Sequence, residues 1–414
     1  MRYWLETLGC AKNQVDSDKL AGRLEVEGYA PASDPRLADL VVVNTCAFIE
    51  EARQESVDTV LQMDERRRDG SRLVVTGCMA ERYGAELAEA MPEVDLVAGF
   101  GVPVTLGRKA PKAPSFDLLN LPRPPVRAPW AYVKVAEGCD RKCGFCAIPS
   151  FRGPQRSRRL EDILAEVDGL DVEEVVLVAQ DLAGYGRDLG EKAIERLVRS
   201  VADRVTRVRL LYLYPSDLTD GLIDAMGDTG CPYFDLSLQH VSRPHLRRMR
   251  RWGDGARFLG RIARIRETYP DAALRSSFIV GYPGETEDDH DQLLAFLEEA
   301  ELDWAGFFTF SPEEGTYAFG LPQSVPVSLA AERLSECGQI QDAITAGRRQ
   351  ALVGETLRVL VDRPGVGRGH REAPEIDGVV RLPGGARTGS WVDVTVTGAE
   401  GPDVDGELIP AVVT

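Results

Sequence analysis

The chain has 414 residues, and at about 150 residues per domain this length suggests two or three domains. Lys plus Arg number 49 against 66 Asp plus Glu, a net charge of -17, with 43% hydrophobic and 28% charged residues; this excludes a disordered or collagenous chain and argues against one that grips nucleic acid along its whole surface. Apolar runs such as Leu40–Val43 and Val175–Ala179 fall far short of the ~20 residues that cross a bilayer, and the N-terminus lacks a signal-peptide core, so a cytoplasmic protein without a membrane partner is expected.

Residues 1–107 alternate strands and helices. Tyr3–Thr7, Leu40–Asn44, Leu73–Thr76 and Leu96–Ala98 are short, apolar and rich in β-branched residues, which predicts strands. Between the first two, Asp16 and Ser17 offer an N-cap and Gly28 a stop; between the next two, Ala52, Val57, Val60 and Leu61 form an apolar stripe. Strand, helix, strand at this spacing predicts a parallel α/β sheet domain. Residues 108–129 carry Pro111, Pro114, Pro122, Pro124, Pro125 and Pro129 and are expected to form a semi-rigid linker. From 130 to 347 the rhythm resumes. Ala131–Ala136, Glu174–Ala179, Val208–Leu213, Phe234–Leu238, Leu274–Val280 and Ala305–Phe310 are predicted strands, with helical patterns such as Glu161–Val167, Phe258–Glu267 and Asp288–Glu299 between them. Six units rather than eight suggest a partial (β/α)6 barrel. Residues 349–414 carry strand patterns at Leu357–Val361, Asp377–Leu382 and Trp391–Thr397 separated by Gly and Pro, the signature of a small antiparallel β-barrel or sandwich.

The eight cysteines are too sparse for a disulfide scaffold, so their spacing points to metal or redox chemistry. Cys139, Cys143 and Cys146 lie as Cys-x3-Cys-x2-Cys in a polar loop directly after a predicted strand. Three thiolates this close can wrap three corners of an iron-sulfur cube and leave one iron open to a small molecule. A structural zinc site needs four ligands, and none of the four histidines lies near this loop. Cys10, Cys46 and Cys78 each follow one of the first three predicted strands, 36 and 32 residues apart. Strand C-terminal ends share one edge of a parallel sheet, so the three thiols are expected to converge, and repetition at one structural position favours a second cluster over three buried small hydrophobes. Cys231 and Cys337 lie outside both sets and receive no role.

The compact loop, with Phe145 before its third cysteine, resembles the radical S-adenosylmethionine superfamily. Three dispersed cysteines plus that loop are similar, over essentially the whole chain, to the methylthiotransferases of that superfamily. Gly9–Asn13 with Val15–Ser17, Ala147–Gly153, Ala179–Asp181 with Tyr185–Gly186, Pro232–Asp235 with Leu238–His240, and Ala373–Gly378 resemble the branch that modifies a ribosomal protein more than the branch that modifies tRNA.

The resemblance implies a radical S-adenosylmethionine barrel on 130–347 and a TRAM-like module on 349–414. It implies two 4Fe-4S clusters, one on Cys139, Cys143 and Cys146 and an auxiliary one on Cys10, Cys46 and Cys78 that carries a sulfide or polysulfide. S-adenosylmethionine methylates that sulfur; a second molecule, cleaved by an electron from the radical cluster, yields a 5′-deoxyadenosyl radical. The implied outcome is a methylthio group on the β-carbon of an aspartate in small-subunit ribosomal protein number twelve. An unactivated carbon-hydrogen bond has no acidic proton, so no acid-base pair is needed. A reducing electron donor is a further implied partner. Gln180, Ser237, Gln239 and Arg275, at or near predicted strand ends, are candidate S-adenosylmethionine contacts, and Phe145 could offer its backbone to adenine. From Arg349 onward seven arginines and no lysine face ten acidic residues. An acidic module suits a basic protein substrate better than phosphate, so stable nucleic-acid binding is not expected. The alternatives that remain open are the same chemistry on a tRNA adenosine, a non-catalytic iron-sulfur electron carrier, and a nucleic-acid-binding module built on the terminal barrel.

Overall fold

A computed structural model describes residues 1–104 and 117–410; residues 108–116 of the expected linker, with Pro111 and Pro114, lie outside the described residues. The first domain is a five-stranded parallel sheet of β1 (Arg2–Thr7), β2 (Ala30–Pro31), β3 (Leu40–Thr45), β4 (Arg72–Gly77) and β5 (Leu96–Ala98), in the order β2-β1-β3-β4-β5. Its crossovers are α1 (Ala11–Val26), α2 (Glu50–Arg66) and α3 (Cys78–Ala90). β3 is buried along its whole length, as an uninterrupted apolar run at the centre of a two-faced sheet requires.

The helix α1 begins earlier than its sequence suggests. Cys10, in extended conformation, is the N-cap, and its carbonyl accepts from the amides of Asn13 and Gln14. Asp16 and Ser17, expected as caps, lie inside the helix because their side chains bond across it, Ser17 to Thr7 and Asn44 and Asp16 to Lys134 and Arg152.

The central domain contains β6 (Trp130–Lys134), the short pair β7 (Ala136–Glu137) and β8 (Arg156–Ser157), β9 (Glu174–Val178), β10 (Arg207–Leu210), β11 (Tyr233–Gln239), β12 (Ala273–Val280) and β13 (Trp304–Thr309). Its helices are α4 (Ile148–Arg152), α5 (Leu160–Asp168), α6 (Ile194–Ala202), α7 (Asp220–Gly227), α8 (Arg243–Arg248), α9 (Gly255–Thr268), α10 (Glu287–Ala300) and α11 (Val327–Gln350). The six long strands form two parallel three-stranded sheets, β6-β9-β10 and β11-β12-β13. A single parallel bridge, Leu213 to Leu236, with amide bonds from Leu213 to Asp235 and from Ser237 to Leu213, joins them into the open six-stranded barrel. Val208–Leu213 was expected as one strand. It stops at Leu210 because Tyr212 takes a left-handed φ of 66°, a conformation no strand continues through, and its amide is met by the Asp235 carboxylate at 2.9 Å.

The last domain is a closed barrel of β14 (Thr356–Arg363), β15 (Val366–Arg368), β16 (Val380–Arg381), β17 (Trp391–Glu400) and β18 (Asp403–Leu408), antiparallel except where β16 and β18 run parallel. The change of character expected at 347–349 falls within the last turn of α11. This barrel clamps the strand beginnings of the central one. Glu174, the first residue of β9, is fully buried and meets Arg209 at 2.7 Å, Arg368 at 3.0 Å and Arg207 at 3.7 Å. Burial alone would raise the Glu174 pKa, but the three guanidiniums hold it at about 2. Tyr233 donates to Asp377 at 2.6 Å, and Trp304 to the carbonyl of Arg371 at 2.7 Å.

The open lumen of the central barrel is filled from the first domain. Ala11 and Val15 of α1 pack with Tyr132, Val176, Val178, Leu211 and Tyr233. Among the described residues no helix is long and apolar enough to cross a membrane.

Candidate functional site

Cys10, Cys46 and Cys78 are gathered by one buried side chain. Asn13, in the first turn of α1, donates through Nδ2 to the carbonyls of Leu8 and Thr45, both at 2.9 Å, and its Oδ1 accepts from the Cys78 thiol at 3.6 Å. Cys46 is fixed by Ser56, whose hydroxyl accepts from its amide and donates to its carbonyl. Gly9 keeps the approach open. It has a φ of +90°, and a Cβ there would lie 2.8 Å from Cys46 Cβ and 2.9 Å from its sulfur, so only glycine fits.

The compact loop runs from Gly138 to Ala147. Cys139 donates its amide to the Gly153 carbonyl, and Gly144 is pinned by an amide bond to Met249 at 2.8 Å and by accepting from the Ala318 amide at 2.8 Å. A Cβ on Gly144 would come within 2.9 Å of the Tyr282 hydroxyl. N–H groups aim at the sulfurs: the Arg141 amide at Cys139 (3.4 Å) and Arg251 Nη1 at Cys143 (3.3 Å).

Burial pushes the Cys46 and Cys146 thiols up to about 12 and Cys139 to about 11, and also raises Cys78. At Cys10 burial is outweighed by Lys12, backbone amides and Arg152, and the pKa falls. Buried thiols of this kind lose their protons on binding a metal. Among the described residues no group of three His, Cys, Asp or Glu that could hold a single ion is formed. A four-iron cube spreads its thiolates wider than one ion does. The soft donor set and the N–H groups directed at sulfur fit such a cube.

One arginine touches both regions. Arg152, in α4 directly after the compact loop and 4% exposed, donates to Cys78 Sγ at 3.0 Å, Asn13 Oδ1 at 2.9 Å, Asp16 at 2.9 Å and Glu137 at 3.1 Å. Lys134 completes the network with Glu137 at 2.6 Å and Asp16 at 2.8 Å. Burial would raise the Glu137 carboxyl, but Lys134 and Arg152 hold it at about 2.

Gln180 joins this network, donating from Nε2 to Glu137 at 3.0 Å, while its buried Oε1 has no partner among the described residues. That free acceptor suits a ligand amino group. Ser237 and Gln239 alternate toward the C-terminal end of β11, where Gln239 has a φ of 71° and pairing with β12 slips. Phe145 packs half-buried against the central core. Arg275 does not join them. It is the third residue of β12, at the opposite end of the barrel, held by Asp235 at 3.2 Å and Asp377 at 3.4 Å. Pairing with the last domain, rather than a ligand, occupies its guanidinium. Cys231 and Cys337 are buried in hydrophobic clusters.

Sequence reasoning missed Lys12, Asn13, Glu137, Arg152 and Arg251 as site residues. The first two and Arg152 stand inside motifs that carried the family resemblance. Arg251 ends the basic run Arg247, Arg248, Arg250 and Arg251 and bonds to Cys143 and to the carbonyl of Ser237.

Three family models match the chain: Uncharacterized protein family UPF0004 over residues 2–99, the Radical SAM superfamily over 133–297 and the TRAM domain over 353–409. The protein named ribosomal protein uS12 methylthiotransferase RimO of Moorella thermoacetica is 43% identical, with 96% of each chain covered. The proteins of that name from Geobacter sulfurreducens (97% of each chain) and Streptomyces coelicolor (97% of this chain, 96% of the other) are each 41% identical. Among solved structures, the radical S-adenosylmethionine methyltransferase TsrM of Kitasatospora setae shares the fold, with a TM-score of 0.50 and 13% identity over 88% of this chain and 79% of that one. Near-complete coverage at this identity, over a chain whose cysteines gather at strand ends and in one barrel loop, leads to one conclusion: the chain belongs to the RimO family of radical S-adenosylmethionine methylthiotransferases.

Proposed function

We propose that the chain places a methylthio group on the β-carbon of an aspartate in ribosomal protein uS12, in the cytoplasm, with electrons from a cellular reductant. Two 4Fe-4S clusters and S-adenosylmethionine, when bound, supply the electron, the radical chemistry and a sulfide or polysulfide to be methylated. Cys139, Cys143 and Cys146 would hold one cluster and Cys10, Cys46 and Cys78 the other. The observation that carries the reading is Arg152, whose single guanidinium bonds to a cysteine of the dispersed set from the helix that follows the compact set. Two separate stations for sulfur and for radical chemistry must work on one substrate carbon, and a rigid buried link fixes their spacing.

The chain's own groups orient and exclude water. Arg251 and the Arg141 amide hold the loop sulfurs, while Gln180 Oε1, Ser237, Gln239 and the Phe145 backbone would hold S-adenosylmethionine. Arg275 keeps a positioning role, joining β11, β12 and the last domain through Asp235 and Asp377. Ala11 and Val15 close the lumen against solvent. The test is anaerobic reaction of the iron-loaded protein with uS12 or tRNA, S-adenosylmethionine and dithionite, followed by mass spectrometry. Gain of one methylthio group on a uS12 aspartate is expected; gain on tRNA with none on uS12 overturns the reading.

A further inference from the structure

Among the described residues, the ion pairs between the first domain and the central barrel fall into two groups. One starts from α1: Asp16 meets Lys134 and Arg152, and Lys19 meets Glu166. The other converges on a single carboxylate, Glu313, in the loop that follows β13. Glu313 is 2% exposed. Its Oε2 accepts from Arg53 of α2 and from Arg82 of α3, each at 2.6 Å, and its Oε1 accepts from the Ser311 hydroxyl at 2.6 Å.

The same loop completes α2. The N-cap of that helix is Ile49, which has no side-chain oxygen to offer, so the first amides of the helix lack a local partner. Ser311 supplies one from the other domain, its hydroxyl accepting from the Glu50 amide at 3.2 Å. Arg82 also donates to the carbonyl of Ala47, the residue after Cys46, at 3.2 Å. At its other end the loop reaches the compact cysteine loop, where the Ala318 amide donates to the Gly144 carbonyl at 2.8 Å. Residues 311–318 therefore run from the neighbour of Cys46 to the neighbour of Cys143. Packing alone does not call for an ionic group here, because apolar side chains of similar volume often serve as well. What the carboxylate adds is direction: two bonds aimed at two helices. Ties from α1 alone would let the first domain pivot about that helix. A pivot moves Cys46 and Cys78, which follow β3 and β4, more than Cys10, which caps α1.

We propose that Glu313 is a positioning residue: acting through Arg53 and Arg82, it sets the separation between the Cys46 side of the dispersed set and the compact loop. It thereby determines what share of the radicals formed ends in methylthio transfer. The inference rests on the functional reading above. A substrate carbon radical is productive only if the sulfur stands within reach, and a displacement of about 1 Å can cost on the order of 100-fold.

The test compares the full iron-loaded wild-type chain with Glu313→Gln, which keeps the shape and removes the charge, and with Glu313→Asp, which keeps the charge. Each reacts with S-adenosylmethionine, dithionite and uS12. In Glu313→Gln the iron content and the rate of 5′-deoxyadenosine formation should hold, while the 5′-deoxyadenosine formed per methylthio group on uS12 should rise roughly 10- to 100-fold. Glu313→Asp should recover part of the coupling. Electron paramagnetic resonance of the reduced proteins gives a second readout: the spin-spin interaction between the two clusters should weaken in Glu313→Gln and return in part in Glu313→Asp. If Glu313→Gln does not load iron, Ser311→Ala, which removes one bond to Glu313 and the cap on α2, should raise the same ratio to a smaller extent. An unchanged ratio, an unchanged spin-spin interaction, or a fall of 5′-deoxyadenosine in step with product overturns the assignment. Failure of the underlying reading shows separately, as wild-type protein that carries both clusters and methylthiolates no uS12; the spin-spin interaction then still decides whether Glu313 sets the separation.

Discussion

The two cysteine sets reach comparable burial by opposite routes. Cys139, Cys143 and Cys146 share one short loop, so the chain brings them near one another before any tertiary structure exists, but their final positions depend on distant partners, the Met249 carbonyl, the Arg251 guanidinium and the Ala318 amide. Cys10, Cys46 and Cys78 follow three strands and are separated in the unfolded chain; once β1, β3 and β4 pair, register, Asn13 and Ser56 fix them from within the first domain, and Arg152 adds one bond to Cys78. A local site is cheap to gather and is braced wholly from distant segments, whereas a dispersed site is costly to gather and takes most of its bracing from its own domain.

The largest expected effect breaks the sets apart. Cys143→Ala should abolish formation of 5′-deoxyadenosine under dithionite, while Cys46→Ala should keep it and lose only methylthio transfer. Each variant should fall from about eight irons per chain to about four. Loss of both activities in Cys46→Ala would contradict the division of labour.

Arg152→Met comes next, because it touches both regions. Removing one member of a buried ionic network costs about 3–5 kcal/mol, and denaturant titration should show that loss. Arg251→Met, at the compact loop alone, should cost less while shifting the spectrum of the loop cluster. Equal costs would mean that Arg152 is not a shared brace.

Gly9→Ala sharpens the contrast further. Its left-handed φ costs a non-glycine residue about 1–2 kcal/mol, and the added Cβ meets the Cys46 sulfur. Iron on the dispersed set should drop while 5′-deoxyadenosine formation continues; retention of all the iron would show that the site yields more than its register implies.

The smallest effect is pH-dependent. His245 on α8 precedes Met249, the brace of the compact loop. Burial, helped by neighbouring His240, holds its pKa down at about 3, with Arg248 acting the same way and Glu285 and Asp289 opposing. The unfolded chain takes up this proton below about 6.5 and the folded chain does not until about 3, so the histidine's contribution is complete above 6.5 and is lost as pH falls toward 3. His245→Phe should flatten the fall of Tm on that limb. An unchanged slope would assign acid sensitivity elsewhere.

The contrast also explains what was legible in the sequence. The βα rhythm announced β1, β3, β4 and β5 and the six long barrel strands because each is a short segment rich in apolar residues, set between helical patterns. β15, three residues around a glycine, and β18, whose inward positions Val404 and Gly406 include a glycine, carry too little hydrophobic signal. The compact loop is a local pattern and stood out; the dispersed trio was legible through repetition at strand ends. Arg152 was not, because its contacts lie 74 residues away at Cys78 and 139 at Asn13, a pairing only the assembled fold creates. Arg275 was misplaced for a related reason: alternation shows which face it occupies, while its depth along β12 is set by pairing with β11 and by Asp377.

The clamp at Glu174 has a mechanical meaning. Swinging the small barrel away from the central one would leave Glu174, Arg207 and Arg209 without Arg368 and the Gly369 carbonyl, at several kcal/mol for each stranded ion. Thermal energy does not supply that, so the last domain acts as a welded end-plate and not as a tethered arm. The last domain therefore shuts the strand beginnings of the central barrel to a large substrate.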